Sequence, residues 1–195
     1  MLSMFVLSSA VLGIFIAPSE QNRITTSRMP LFRTPDISEF VGTPLPIWTY
    51  NSTSRANTTC KVDVMVNMSR YHIIFNRSRY EDKRSRRSSS LMDGNFTGFP
   101  LDTMAVGELD MLVMQSETII YESPDYECAV IKVSLRSFGS GWYELRVRNS
   151  SVTQGPRWKC QTIFMKYAHN GTKRYWDECQ KILGSRNRRR RSMHM

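Results

Sequence analysis

The amino-acid sequence predicts an all-β chain, an up-and-down barrel or a sandwich, and three observations carry that expectation. Seven short β-like segments follow one another at 47–50, 61–68, 71–75, 110–114, 118–122, 128–135 and 142–147. Turn chemistry separates several of them, as at Asp93-Gly94, Ser123-Pro124-Asp125 and Gly139-Ser140-Gly141. Helical patterns are confined to two places, one before the strands and one after them.

Taken in order, residues 4–17 form an uncharged apolar run, MFVLSSAVLGIFIA. That is the length of a signal-peptide core and too short to span a bilayer comfortably. Ala17 and Ser19 are the small residues such a site wants, so cleavage is expected after Ser19, with residues 1–19 removed. Residues 20–35 read as an irregular lead-in. Thr34-Pro35-Asp36-Ile37-Ser38-Glu39-Phe40 then carries a helix-start signature, with Thr34 as cap, proline at the first helical position and acids in the first turn. Pro44 and Pro46 stop its extension. Beyond Gly155-Pro156, residues 157–168 place Trp158, Ile163 and Phe164 at mixed helical spacing and read as a second helix. The Ser/Arg-rich stretch 85–90 reads as a polar loop, and 184–195 as a basic, disordered tail.

Seven of the nine asparagines open an Asn-x-Ser/Thr sequon: Asn51, Asn57, Asn67, Asn76, Asn95, Asn149 and Asn170. Chance gives about two, and such sites are useful only on surfaces and in the secretory pathway. They also orient strands, because side chains alternate. An outward Asn67 puts Val62, Val64 and Val66 inside and Lys61, Asp63 and Met65 outside. An outward Asn76 takes Ile74 and His72 with it and leaves Tyr71, Ile73 and Phe75 inside. The resulting apolar and aromatic interior is a filled core or a ligand cavity.

Four cysteines, Cys60, Cys128, Cys160 and Cys179, with no Cys-x-x-Cys pair, argue against a zinc ribbon and for two disulfides in an oxidising compartment. Arithmetic leaves three connectivities open. A mature chain of about 176 residues suits one domain. The formal net charge of +10 resides in two runs, Lys83, Arg84, Arg86 and Arg87, then Arg186 and Arg188 to Arg191. The rest of the chain is nearly neutral, which argues against a nucleic-acid-binding face. Both runs resemble sites for a furin-type convertase, and both could also grip a polyanion or a host protein; the alternative is two plain solvated loops. His72, His169 and His194 lack metal-ligand spacing, no acid–base pair has local context, and no glycine loop cradles phosphate. The expectation is therefore a non-enzyme without cofactor, metal or membrane span. With no odd cysteine to bridge two chains, it is expected to be a monomer.

Pro46-Ile47-Trp48-Thr49-Tyr50-Asn51 followed by Cys60-Lys61-Val62-Asp63 resembles the first strands of tick salivary lipocalins, the family that includes the histamine-binding proteins. Tyr126-Glu127-Cys128-Ala129-Val130-Ile131-Lys132-Val133, Trp142-Tyr143-Glu144-Leu145-Arg146-Val147 and the order of the four cysteines extend the resemblance over residues 36–183. It implies an all-β fold: an eight-stranded antiparallel lipocalin-type barrel with a short N-terminal helix and a C-terminal helix packed outside. It also implies the pairings Cys60–Cys179 and Cys128–Cys160, and sequestration of a small host inflammatory mediator. Pro46 stands where lipocalins at large carry glycine before x-Trp. Amine-binding members carry an acid after the second cysteine and an aromatic after Glu-Leu, where this chain has Ala129 and Arg146.

The loss of an acid matters, because a buried ammonium without a partner is costly. Glu144 and Arg146, two apart on one strand, share a face. They either form an ordinary cross-cavity ion pair or contribute to binding, with Arg146 meeting a ligand carboxylate. Trp142 either lines the mouth or packs, and Tyr71, Phe75 and Ala129 complete the expected ligand-binding set. This favours an acidic lipid such as an eicosanoid over a biogenic amine. The alternative is a filled barrel acting through its surface on a host protein or a polyanion.

Overall fold

The computed structural model describes residues 34–81, 86–98, 101–136 and 139–184. The expected signal peptide 1–19, the lead-in through residue 33, the first part of the 83–87 basic run and the tail from 185 lie outside the described residues.

A one-turn helix, α1 (Ile37–Val41), opens the described chain. Its N-cap is Asp36 and not Thr34: the Asp36 carboxylate accepts from the Ser38 backbone N–H at 2.9 Å and from the Ser38 hydroxyl at 2.7 Å. Eight strands follow: β1 (Ile47–Ser52), β2 (Thr59–Met68), β3 (His72–Glu81), β4 (Arg86–Phe96), β5 (Thr103–Glu108), β6 (Val113–Glu122), β7 (Cys128–Leu135) and β8 (Gly141–Arg148). Each pairs antiparallel with the next, and β1 pairs with both β8 and β2, which closes the barrel. After the barrel come α2 (Trp158–Tyr167), the two-residue β9 (Thr172–Lys173), a 3-10 turn (Asp177–Gln180) and α3 (Lys181–Gly184).

Two apolar clusters lie on opposite sides of the barrel wall. The interior one gathers Ile47, Ile73, Phe75, Met92, Met104, Val106, Ile119, Ala129, Ile131 and Val133, with Ile37, Phe40 and Val41 of α1 packed among them at one end. The helix is a plug. Arg148 donates from Nη2 to the carbonyls of Glu39 and Phe40 at 2.9 and 2.8 Å, satisfying acceptors that a helix end leaves open. The second cluster lies on the outer face, where Trp48, Val62, Val130, Leu145 and Val147 are covered by Phe164, Tyr175 and Ile182 of the C-terminal segment. Disulfides join Cys60 to Cys179 and Cys128 to Cys160, tying that segment to β2 and β7.

Three local expectations are corrected. Residues 86–90 are not a loop: they form the first half of β4 and pair with residues 77–81 of β3. The orientation of β2 is inverted before its end. Asn67 is exposed as expected, but a bulge lies between Met65 and Asn67 in the pairing with β3. The extra residue shifts the alternation by one, so Lys61, Asp63 and Met65 face the interior, Val62 lies on the outer face and Val66 is exposed. Tyr71 is also exposed, in the turn before β3. Ile73 and Phe75 do face inward.

Beyond Trp48, β1 leaves β2. Its residues Asn51 and Ser52 pair instead with Lys173 and Thr172 of β9. Backbone bonds from Arg174 N–H to the Tyr50 carbonyl and from Cys60 N–H to the Arg174 carbonyl, at 2.8 and 2.9 Å, bridge the gap. The C-terminal segment is thus a wedge completing the wall between β1 and β2.

Candidate binding site in the barrel

Strand alternation sends charged side chains into the middle of the barrel from four strands. Lys61 and Asp63 come from β2, Arg77 from β3, Glu117 from β6, and Glu144 and Arg146 from β8. Three cations meet three carboxylates. Arg77 grips Asp63 with two bonds, Nε to Oδ1 at 2.8 Å and Nη2 to Oδ2 at 2.7 Å, and reaches Glu117 Oε1 at 2.9 Å. Arg146 lies 2.6 Å from Glu117 Oε2 and bonds Glu144 Oε2 through Nε at 2.9 Å. Lys61 Nζ donates to both oxygens of Glu144, at 2.5 and 2.7 Å. Buried charges are tolerated only with this degree of pairing.

The electrostatics follow from that packing. Burial opposes ionisation of Glu117, but Arg146, Arg77 and Lys61 outweigh it and hold the carboxyl down at about 2. Glu144 is likewise held well below the usual carboxylate range, burial being overcome by Lys61 and Arg146. Arg146 is raised because Glu117 and Glu144 outweigh its burial. Lys61 differs: burial dominates and pulls it down to about 8 despite Glu144. With Glu117 ionising near 2 when folded and at its ordinary 4.5 when unfolded, its contribution to stability is complete above 4.5 and disappears as pH falls towards 2.

The network divides the interior. On the α1 side the barrel is filled, with only a residual void of about 10 Å³ among Val41, Ile47, Met65, Phe75 and Arg146. On the other side lies a cavity of about 330 Å³, at the lower end of the roughly 300–1,000 Å³ of small-molecule sites. Met92, Val106, Met114, Leu135 and Trp142 supply its apolar wall. Its charged residues are Lys61, Arg77, Arg79 and Arg174 against Glu108 and Glu144. Arg174, on the wedge, is fixed by the carbonyls of Ser54 and Thr58 at 2.7 and 3.2 Å.

Of the residues expected to bind ligand, Glu144 and Trp142 stand on this cavity, and Trp142 Nε1 donates to Glu144 Oε1 at 2.8 Å. Phe75 is interior but belongs to the filled half, with the Arg77 guanidinium 5.1 Å above its ring. Ala129 is interior and opposite Arg146 in the strand register, yet lines neither void. Arg146 is on the lower void and not on the cavity, its guanidinium committed to Glu117 and Glu144. Tyr71, 73% exposed, has no part in the interior. The residues that sequence reasoning missed are Lys61, Asp63, Arg77 and Glu117. Among the described residues, no cluster of three or more His, Cys, Asp or Glu side chains could hold a metal ion.

All seven sequon asparagines are described. Asn57, Asn67, Asn95 and Asn170 are exposed, and Asn51, Asn76 and Asn149 are half-buried. The Asn149 Oδ1 accepts from Trp48 Nε1 and from Gln180 Nε2, both at 2.8 Å.

No protein-family model matches the chain, and no curated protein matches it in sequence. Solved structures do match in shape. Japanin from Rhipicephalus appendiculatus, bound to cholesterol, aligns with a TM-score of 0.54 and 10% identity, over 70% of this chain and 95% of its own. AM182 in complex with serotonin aligns with a TM-score of 0.57 and 16% identity, over 75% of this chain and 94% of its own. The fold is of the lipocalin type: an eight-stranded antiparallel barrel with a C-terminal helix outside.

Proposed function

We propose that this lipocalin-type barrel is a secreted, glycosylated binding protein that sequesters a small amphiphilic acid, of the class of the eicosanoid lipid mediators, in the cavity beside Lys61. One observation carries the choice of acid over amine: the acceptor capacity of Glu144 is already used. Its Oε1 accepts from Lys61 and Trp142, and its Oε2 from Lys61, Arg146 and Thr49. An ammonium ligand finds no open oxygen there. Lys61, by contrast, has three N–H donors and makes two bonds, both to one carboxylate, and four cations stand against two acids on the cavity wall. The apolar wall takes the hydrocarbon part of the ligand. Solved structures of this fold holding cholesterol and serotonin support occupancy by a small molecule in general. The two disulfides support an oxidising, extracellular setting.

The test is native mass spectrometry of the deglycosylated protein from a eukaryotic secretory host, against histamine, serotonin and several eicosanoid acids. Retention of an acid, lost in Lys61→Met, is the expected result. Retention of an amine, lost in Glu144→Gln, overturns the choice of ligand. A bare mass against the whole panel overturns the cavity reading. It then favours the second reading, a surface acting on a host protein or a polyanion, to which the filled lower half of the barrel lends weight.

A further inference from the structure

The β5–β6 hairpin ends in a group of three exposed large apolar side chains. Met111, Leu112 and Met114 are 69%, 88% and 61% exposed. The tip is built to hold that shape. A Cβ on Gly107 would lie 2.7 Å from the Leu112 carbonyl oxygen, so only glycine lets the two strands close so tightly. Asp110 takes a positive φ of 63°, and the Met111 N–H donates to the Glu108 carbonyl at 2.9 Å. Met111 and Leu112 are thereby held at the exposed tip, off the cavity wall.

Strand order puts this tip at the cavity end. The β1–β2, β3–β4 and β7–β8 connections lie at the same end, and Met114 is at once exposed and part of the cavity wall. Among the described residues, that rim carries six arginines, Arg55, Arg79, Arg86, Arg87, Arg136 and Arg174, against Glu81, Glu108 and Asp110. Glu81 is shared by Arg79 and Arg86. A fixed apolar tip set in a basic rim has the chemistry of a peripheral lipid contact: apolar groups enter the headgroup boundary while cations meet anionic headgroups. A polyanion such as heparan sulfate would use the arginines and leave the apolar tip unexplained.

We infer that the mouth of the barrel docks on an anionic membrane surface through Met111 and Leu112, bringing the cavity to the bilayer so that an amphiphile passes between them without crossing water. The cargo rests on the function proposed above; the docking does not, and is tested separately.

The experiment is co-sedimentation of the full chain with phosphatidylcholine vesicles, with and without about 30% phosphatidylserine, at low and high salt. Expected are binding to the anionic vesicles, reduced by salt, and about tenfold weaker partitioning of Met111→Ser/Leu112→Ser. Arg87→Ser/Arg136→Ser should also weaken partitioning, with circular dichroism unchanged in both variants. Neither pair lines the cavity, so retention of an acid in native mass spectrometry should survive. Absence of binding, or equal binding by wild type and Met111→Ser/Leu112→Ser, overturns the inference. So does equal retention of both on heparin without vesicle binding, which assigns the rim to polyanions. Vesicle binding with no retained acid would remove the cargo and leave the docking standing.

Discussion

Lys61 is pulled in opposite directions by its surroundings: burial disfavours its charge, Glu144 favours it, and the balance leaves it titrating at about 8. Binding of a carboxylate there needs the ammonium form. Affinity for an acidic ligand should therefore be flat below about pH 8 and fall by up to about tenfold per pH unit above it. Lys61→Arg, still charged at these pH values, should remove that dependence. Titration calorimetry at about pH 7 and about pH 9.5 checks both; equal affinity for the wild type at the two would mean Lys61 is not the anchor. Unfolding does not mimic this loss through Lys61. Between 8 and its ordinary 10.5 the unfolded chain binds the extra proton, so this group makes the native state more stable as pH rises. Parts of the network were legible in the sequence. With Ile73 and Phe75 inside, alternation puts Arg77 inside too, and the same step from Ile119 reaches Glu117. Lys61 and Asp63 were lost to the bulge after Met65, which no apolar pattern announces. Glu144 and Trp142, expected from the sequence to face the interior, do line the cavity. For Arg146 the sequence left open an ion pair with Glu144 or a contact with ligand; the ion pair is present, and the second partner, Glu117, comes from a remote strand that sequence spacing does not bring near.

At the scale of elements, the strands that carry an apolar face were readable, and those that do not were missed. β7 spans 128–135 as the pattern predicts, because it is buried nearly throughout. β4 buries Met92 and Gly94, packs Phe96 against the interior cluster and is otherwise largely solvated, so its polar first half reads as a loop. It is a strand because the edge of β3 supplies ten consecutive partners. Helix α1 was legible from its start signature, although the cap is Asp36. Its work as a plug is testable. Phe40 is fully buried in the interior cluster, so Phe40→Ala should cost about 3–5 kcal/mol in urea unfolding. Because the charge network stands between Phe40 and the 330 Å³ cavity, ligand affinity measured under native conditions should change little. A large loss of affinity with a small loss of stability would mean the two halves of the barrel are coupled.

For the whole molecule, the lipocalin-type fold could be read from combined motifs, whereas the path of its C-terminus could not. Thr172 and Lys173 are exposed and carry no strand pattern; their place is set by the gap between β1 and β2 and by the bond from Cys179 to Cys60. The two disulfides close loops of different length, with sequence separations of 119 and 32. On the chain-entropy account, Cys60→Ser/Cys179→Ser should cost about 5 kcal/mol and Cys128→Ser/Cys160→Ser about 4. Only the first should also impair ligand retention, because only it releases the wedge that bears Arg174. Equal retention by both variants would show that the wedge holds without its bond.

That wedge also orders events in time. A ribosome delivers all eight barrel strands before residues 172–179, so a nascent chain can pair its sheet while one side of the cavity is still open. The wall is completed when Arg174 slots between β1 and β2, and locked when Cys179 meets Cys60. On the function proposed above, readiness to hold a ligand would then depend on the last segment made, and a chain kept in a reducing compartment would have to hold that wall by the backbone bonds of residues 172–174 alone.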